Sequence, residues 1–298
     1  MKKDYKFNQY YKSFNVFSIA LILLSLIFLI FKGLNYGVDF KGGTLIEIRI
    51  ESGKPDIEVL RSNFNKLNLG KISIKNFGSD KDFVVKFKRN ELNDPEFIKN
   101  LQKNLSKELI ENFSFRRVEN VGPKVSSELL KAGVTAICLS LMAMLIYIWI
   151  RFEWQFSVGA IAALFHDVII TLGIFSALSL EINLSIVAAV LTIVGYSMND
   201  TVVIYDRVRE NLKKYYDIKI FDLTNLSINE TLSRTIITSS TTLLALVSIF
   251  LFGGEILKGF SLAMILGVIL GTYSSIFIAN PLLVSFKVSQ KTVLKEYS

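Results

Sequence analysis

Cysteine occurs once in the 298 residues, as Cys138. That excludes an internal disulfide, a cysteine-based metal cluster and a dithiol redox pair. Histidine is as scarce, with His166 the sole example. Segment 34–130 therefore has neither residue, nor any paired-carboxylate cluster, and must hold together by core packing alone. Its glycines are followed by no Lys-Ser/Thr, and no helix is expected to open behind them, so a phosphate-binding loop is excluded. Nothing in this inventory implies a cofactor or a metal. Small residues are missing from the exit of the first apolar block, which reads LIFLIFKGLNYGVDF. A cleaved signal peptide needs them there, so the block is read as an uncleaved anchor.

Long apolar runs are what the chain does have. It is 51% hydrophobic, with a mean hydropathy of +0.43, and the apolar residues come in blocks. About 20 apolar helical residues cross the roughly 30 Å hydrocarbon core. Six stretches qualify: 14–31, 134–150, 156–178, 182–205, 236–252 and 260–284. Only Ser179, Leu180 and Glu181 part the third from the fourth, which predicts a tight transmembrane hairpin. The net charge of +8 reads as membrane topology and not as a nucleic-acid footprint. One set of short segments carries Lys2, Lys3, Lys6, Lys12, Arg151, Arg207, Arg209, Lys213, Lys214, Lys219, Lys287, Lys291 and Lys295. The opposite loops hold little beyond Glu181, Glu255 and Lys258. The positive-inside rule then puts both termini of a multi-pass membrane protein in the cytoplasm, and segment 34–130 outside.

The expected division is an N-terminus and first span over 1–33, an outer domain over 34–130, a five-helix bundle over 131–286 and a tail over 287–298. A cytoplasmic loop over 206–230 interrupts the bundle. Within the outer domain, TLIEIRI alternates as a half-buried strand does. PDIEVLRSNFNKLNLG spaces Ile57, Leu60, Phe64 and Leu67 helically. KISIKNF and DFVVKFK flank the turn GSDK. A second helix repeats Phe97, Leu101, Leu105 and Leu109 on one face, and FSFRRVE ends the domain as a strand. The order β-α-β-β-α-β is the ferredoxin-like pattern. Before it, Gly37, Gly42 and Gly43 flank Asp39 and Phe40, a glycine density that predicts a fixed, tightly packed turn.

Polar groups inside the spans are the candidate functional residues, because a charge at the bilayer centre costs at least about 2.5–3.5 kcal/mol. Asp200 follows Asn199 about 24 Å along its helix at 1.5 Å per residue, and a short Asp cannot snorkel as Lys or Arg does. His166 and Asp167 share its slab of membrane, where they suit proton carriage or a hydrogen-bonded packing pair. SINE at 227–230 reads as a capping box, which sets Arg234 about two turns inside the fifth span, at a depth matching Asp200. A guanidinium there would hold the carboxylate ionised. Hydroxyls of Thr235, Thr238, Ser239, Ser240, Thr241 and Thr242 line the same helix. In the sixth span Gly267, Gly271, Ser274 and Ser275 read as helix packing. An acid, a base and hydroxyls in one seam suit a proton-coupled conformational machine better than an enzyme.

GVDFKGGTLIEI, VGPKVSSEL, FHDVIITLGIF, VGYSMNDTVVIYDRVREN, SRTIITSSTTLLALVSIFLFGG and LKGFSLAMILGVILGTYSSIFIANPLL, in this order, resemble the SecF family of bacterial protein-export subunits. The resemblance runs from residue 33 to 284. It implies a six-span half of a SecD–SecF complex, related to resistance-nodulation-division transporters. Such a complex uses proton-motive force to help draw preproteins through the SecYEG channel. SecD, SecYEG, YajC, YidC, the preprotein and membrane lipids are the implied partners. The family's intramembrane acid falls on Asp200 and its arginine on Arg234, with a weaker role for His166 and Asp167. A proton-coupled exporter of small molecules or lipids is the alternative. An intramembrane protease fails, since no Gly follows Ser197 and Asp200 would go unexplained.

Overall fold

A computed structural model of the chain describes residues 5–51, 56–67, 69–70, 72–77, 79–88, 95–108 and 113–294, with backbone alone at 77, 95–98, 107–108, 255 and 294. Lys2, Lys3, Pro55, Gly78, Leu109 and Lys295, and the side chains of Phe97 and Glu255, lie outside the described residues.

In chain order the elements are α1 (Tyr11–Phe31), the two-residue β1 (Asn35–Tyr36), the one-turn α2 (Val38–Lys41), β2 (Gly43–Ile50), α3 (Ile57–Lys66), β3 (Ile72–Phe77), β4 (Ser79–Phe87), α4 (Pro95–Glu108) and β5 (Phe113–Val121). There follow α5 (Pro123–Arg151), α6 (Trp154–Ala177), the two-residue β6 (Glu181–Ile182), α7 (Leu184–Lys214), α8 (Ile220–Phe252), α9 (Glu255–Ser274), a π-helical turn (Ser275–Ala279), α10 (Asn280–Ser285) and α11 (Gln290–Leu294). Two compact units result, one of Met1–Asn35 with Thr135–Ser298 and one of Tyr36–Val134.

Among the described residues, six helices are long and apolar enough to cross a membrane. Helices satisfy their own backbone groups, as hydrocarbon demands. The apolar windows of α6, α7 and the last span are 50–56% buried, against 11–17% for α1, α5 and α8. Three helices thus form the middle of the bundle, and three keep an open face. Glycine lets the middle ones close up. A Cβ on Gly267 of α9 would lie 2.2 Å from Ile193 Cγ1 of α7, and one on Gly271 would lie 3.1 Å from Ser197 Cα. The hairpin between α6 and α7 turns through Ser179 at φ 53°. Phe152, Phe156 and Tyr205 pack edge-on or stacked at 5.1–6.0 Å between centroids. The Tyr205 hydroxyl donates to the Ala279 carbonyl at 3.0 Å, at the end of the π-helical turn.

Two helices outrun their apolar stretches. α7 continues to Lys214, and α8 begins at Ile220 with Lys219 as N-cap. The capping box expected at 227–230 is therefore absent. Ser227 sits inside α8, where its hydroxyl donates to the Leu223 carbonyl and accepts from Asn211 Nδ2 at 3.0 Å. Glu230 takes Arg207 and Asn211, each at 2.7 Å. Partners on α7 satisfy the two residues that would otherwise have capped a helix start.

In the second unit the sheet order is β3-β4-β2-β5, antiparallel throughout. Ile46, Ile48, Ile50, Leu60, Phe64, Phe83, Val85, Leu101 and Leu105 fill its core. β2 is central and buried on both faces, not alternately wet as its sequence suggests. Leu45 packs with Val38 of α2 and with Val84, so the short helix covers the second face. That helix also departs from the expectation that none opens behind Gly37. Burial pushes the Glu47 carboxyl up from its ordinary value against the opposing Arg117 guanidinium, 3.5 Å away. The Arg49 guanidinium grips Asp82 with two bonds of 2.7 Å and holds its carboxyl below the ordinary value.

Candidate functional site

The middle helices carry two buried carboxylates. Asp167 of α6 is fully buried. Its Oδ1 shares a 2.8 Å hydrogen bond with Nδ1 of the neighbouring His166. Its Oδ2 accepts from Ser197 of α7 at 2.5 Å and from Ser274 of α9 at 2.8 Å. One side chain thus ties three helices. The His166 ring stacks on Tyr273 at 5.7 Å, and the Tyr273 hydroxyl bonds Ser18 and the Phe14 carbonyl of α1. His166 Nε2 is buried without a partner.

Asp200 lies one turn beyond Ser197 on α7, on the same face by the i, i+3 rule, and is 3% exposed. Its Oδ2 accepts from Thr272 of α9 at 3.3 Å. Thr272 in turn shares a 2.7 Å hydrogen bond with Ser239 of α8. The carboxylate therefore ends a hydroxyl chain running from α8 through α9. Among the described residues no ion pair joins it to Arg234, which lies on the exposed side of α8. The guanidinium bears on the carboxylate through space only. Because α8 starts at Ile220 and not at Ser227, Arg234 stands about four turns into its helix and not two. Asn199 is exposed, one residue round the helix from Asp200.

The structure thus joins His166 to Asp167, sets Asp200 one turn along α7 from the Ser197 that bonds Asp167, and gives Arg234 and Asn199 no hydrogen bond to either carboxylate among the described residues. The sequence alone does not single out the donors Ser197, Thr272 and Ser274, the last of which reads there as helix packing. Their signal was positional: Ser197 stands three residues before Asp200, and Thr272 and Ser274 follow Gly271, whose missing side chain brings α9 against α7. Among the described residues no cluster of His, Cys, Asp and Glu is suited to a metal.

The glycine motif sits in the second unit. Gly42 and Gly43 have φ of +71° and +127°. A Cβ on Gly43 would lie 2.8 Å from the Phe87 carbonyl, and one on Gly42 would lie 3.2 Å from that of Val121. Both positions therefore demand glycine for conformation and for space. Gly37 caps α2, which carries Asp39 in its first turn, and Phe40 is buried against Tyr36.

Residues 101–289 match the family described as protein export membrane protein SecD/SecF, C-terminal, and residues 27–53 match the SecD/SecF GG motif. Proteins named protein translocase subunit SecF from Rickettsia rickettsii and Rickettsia bellii are each 47% identical over 286 residues. They cover 96% of this chain and 92% and 94% of their own. A crystal structure of SecDF from Thermus thermophilus, titled a translocon-associated membrane protein, superposes with a TM-score of 0.84 at 35% identity over 96% of this chain. This chain spans 39% of that one's length. The chain belongs to the SecF family of protein-translocase subunits.

Proposed function

We propose that this chain is an accessory, non-enzymatic subunit of the Sec translocase that works with SecD to turn proton-motive force into late steps of preprotein export through SecYEG. The observation that carries the reading is a carboxylate, Asp200, buried among apolar spans with hydroxyls for partners. Protonated, it is satisfied by the Thr272–Ser239 chain. Ionised, it needs a cation, and Arg234 of the neighbouring α8 already acts on it through space. Gain and loss of a proton would then trade one set of partners for the other and shift α8 against α7 and α9, since a buried charge is costly unless paired. Asp167 and His166 hold the frame in which this happens.

On this reading, residues 36–134 form a ferredoxin-like domain on the extracytoplasmic side that engages the preprotein. Both termini lie in the cytoplasm of the inner membrane, as the lysine and arginine distribution favours. SecD supplies the other half of the machine, and YajC and YidC are further companions. The length of the SecDF chain relative to this one supports a two-part assembly.

The test uses vesicles holding this chain, SecD and SecYEG. Asp200→Asn keeps size and hydrogen bonding but cannot titrate. It is expected to assemble normally and lose the proton-force-dependent component of export. Arg234→Lys is expected to impair the same component, because Lys lacks the planar fork that pairs with a carboxylate. Full proton-driven export by Asp200→Asn would sink the proposal.

A further inference from the structure

At the turn between α5 and α6, two side-chain oxygens have an unmet demand. Glu153 Oε2 and Gln155 Oε1 are both shielded from solvent, and neither has a hydrogen-bond partner. The Glu153 side chain is 10% exposed, and its other oxygen takes Arg209 at 3.3 Å. Both residues line one cleft of about 540 Å³, together with Trp149, Phe152, Trp154 and Lys291. Small-ligand sites occupy roughly 300–1,000 Å³.

The chemistry of the lining selects the occupant. A buried acceptor without a donor is destabilising, so the site calls for a ligand that donates. Two indoles favour a cation, which an aromatic face attracts. The neighbouring guanidiniums are already engaged, Arg209 with Glu153 and Arg151 with Asp206 at 2.8 Å. Lys291 makes no ion pair among the described residues and is exposed, so an anion can reach it. A donor cation and an anion in one small ligand describe a zwitterion. The place narrows it further. α5 ends at Arg151 and α6 starts at Trp154, so the cleft lies at the ends of two spans, at headgroup level, where tryptophan is enriched in membrane proteins.

We infer that this cleft binds the headgroup of an ethanolamine-type phospholipid, its ammonium between Glu153 Oε2 and Gln155 Oε1 and its phosphate on Lys291. The inference rests on the six helices crossing a membrane and not on proton coupling at Asp200, so either can fail alone.

The chain reports on the cleft itself, because Trp149 and Trp154 are its only tryptophans. The delipidated full chain in detergent is titrated with short-chain phosphatidylethanolamine, phosphatidylcholine or phosphatidylglycerol while tryptophan emission is followed. The ethanolamine lipid is expected to give a saturable change with a midpoint about tenfold below the other two, since choline donates no N–H and glycerol bears no charge. Gln155→Leu and Lys291→Ala are each expected to raise that midpoint several-fold with unchanged circular dichroism. Lys291 is exposed, so its replacement leaves folding intact. Equal or non-saturable responses to all three lipids would overturn the inference. So would tighter binding of the glycerol lipid, or ethanolamine-lipid binding by both variants at the parent midpoint.

Discussion

Asp167 shows how one atom can set the cohesion of a bundle. Its Oδ2 accepts from two helices other than its own, and its Oδ1 holds His166 against Tyr273. Asp167→Ala would strand the Ser197 hydroxyl and a histidine nitrogen, at about 1–3 kcal/mol for each group left unsatisfied, and would leave Ser274 only its 3.3 Å bond to the Gly271 carbonyl. We expect a clear drop in thermal midpoint in detergent. Asp167→Asn, which keeps an acceptor oxygen, should lose much less. An alanine variant that melts with the parent would show that the hydroxyls find other partners. The sequence marked His166, Asp167 and Asp200 because charge in an apolar run needs a reason. It hid Ser197, Thr272 and Ser274, because a hydroxyl in a helix can satisfy itself on the preceding turn and so carries no such signal.

Helices close on one another here where side chains vanish. A Cβ on Gly173 of α6 would lie 2.3 Å from Ser25 Cβ and 2.7 Å from Ser25 Cα of α1, whereas one on Gly195 of α7 would meet no atom within 4 Å. Gly173→Ala is expected to destabilise by about 1–3 kcal/mol, the usual range for overpacking. Gly195→Ala should be neutral or stabilising by up to about 1 kcal/mol, since alanine is the better helix former. Equal melting of the two variants would contradict the packing described. The existence of all six spans was legible from apolar length, and the close approach at Gly267 and Gly271 from their spacing. The true ends of α7 and α8 were not. Their extensions are polar and held by pairs such as Arg207–Glu230 and Asn211–Ser227, which a hydropathy pattern does not report. The SINE motif misled because a capping box and a mid-helix polar pair use the same residue types.

At the scale of the molecule, strand and helix order in residues 43–121 could be read from period and turns. The two-sided burial of β2 could not, because α2 is too short to announce itself. In the helical unit, residue counting gave neither the distance of Arg234 from its helix start, which lies at Ile220, nor its direction. A misplaced helix start shifts the count along the axis, and each residue of error in register turns a side chain by about 100°. The open faces of α1, α5 and α8 are where a single chain leaves most unpacked surface, and Arg234 stands on one of them. A partner helix laid there would supply the confinement that brings a guanidinium to a buried acid.

The central claim is that Asp200 gains and loses a proton within the membrane. Infrared difference spectra of the reconstituted chain with SecD, taken across a pH titration, test it directly through the carbonyl stretch of a protonated carboxyl. The account predicts a titrating band that Asp200→Asn removes and Asp167→Asn leaves in place. A band indifferent to Asp200→Asn, or an Asp200 carboxylate ionised at every pH tested, would contradict it.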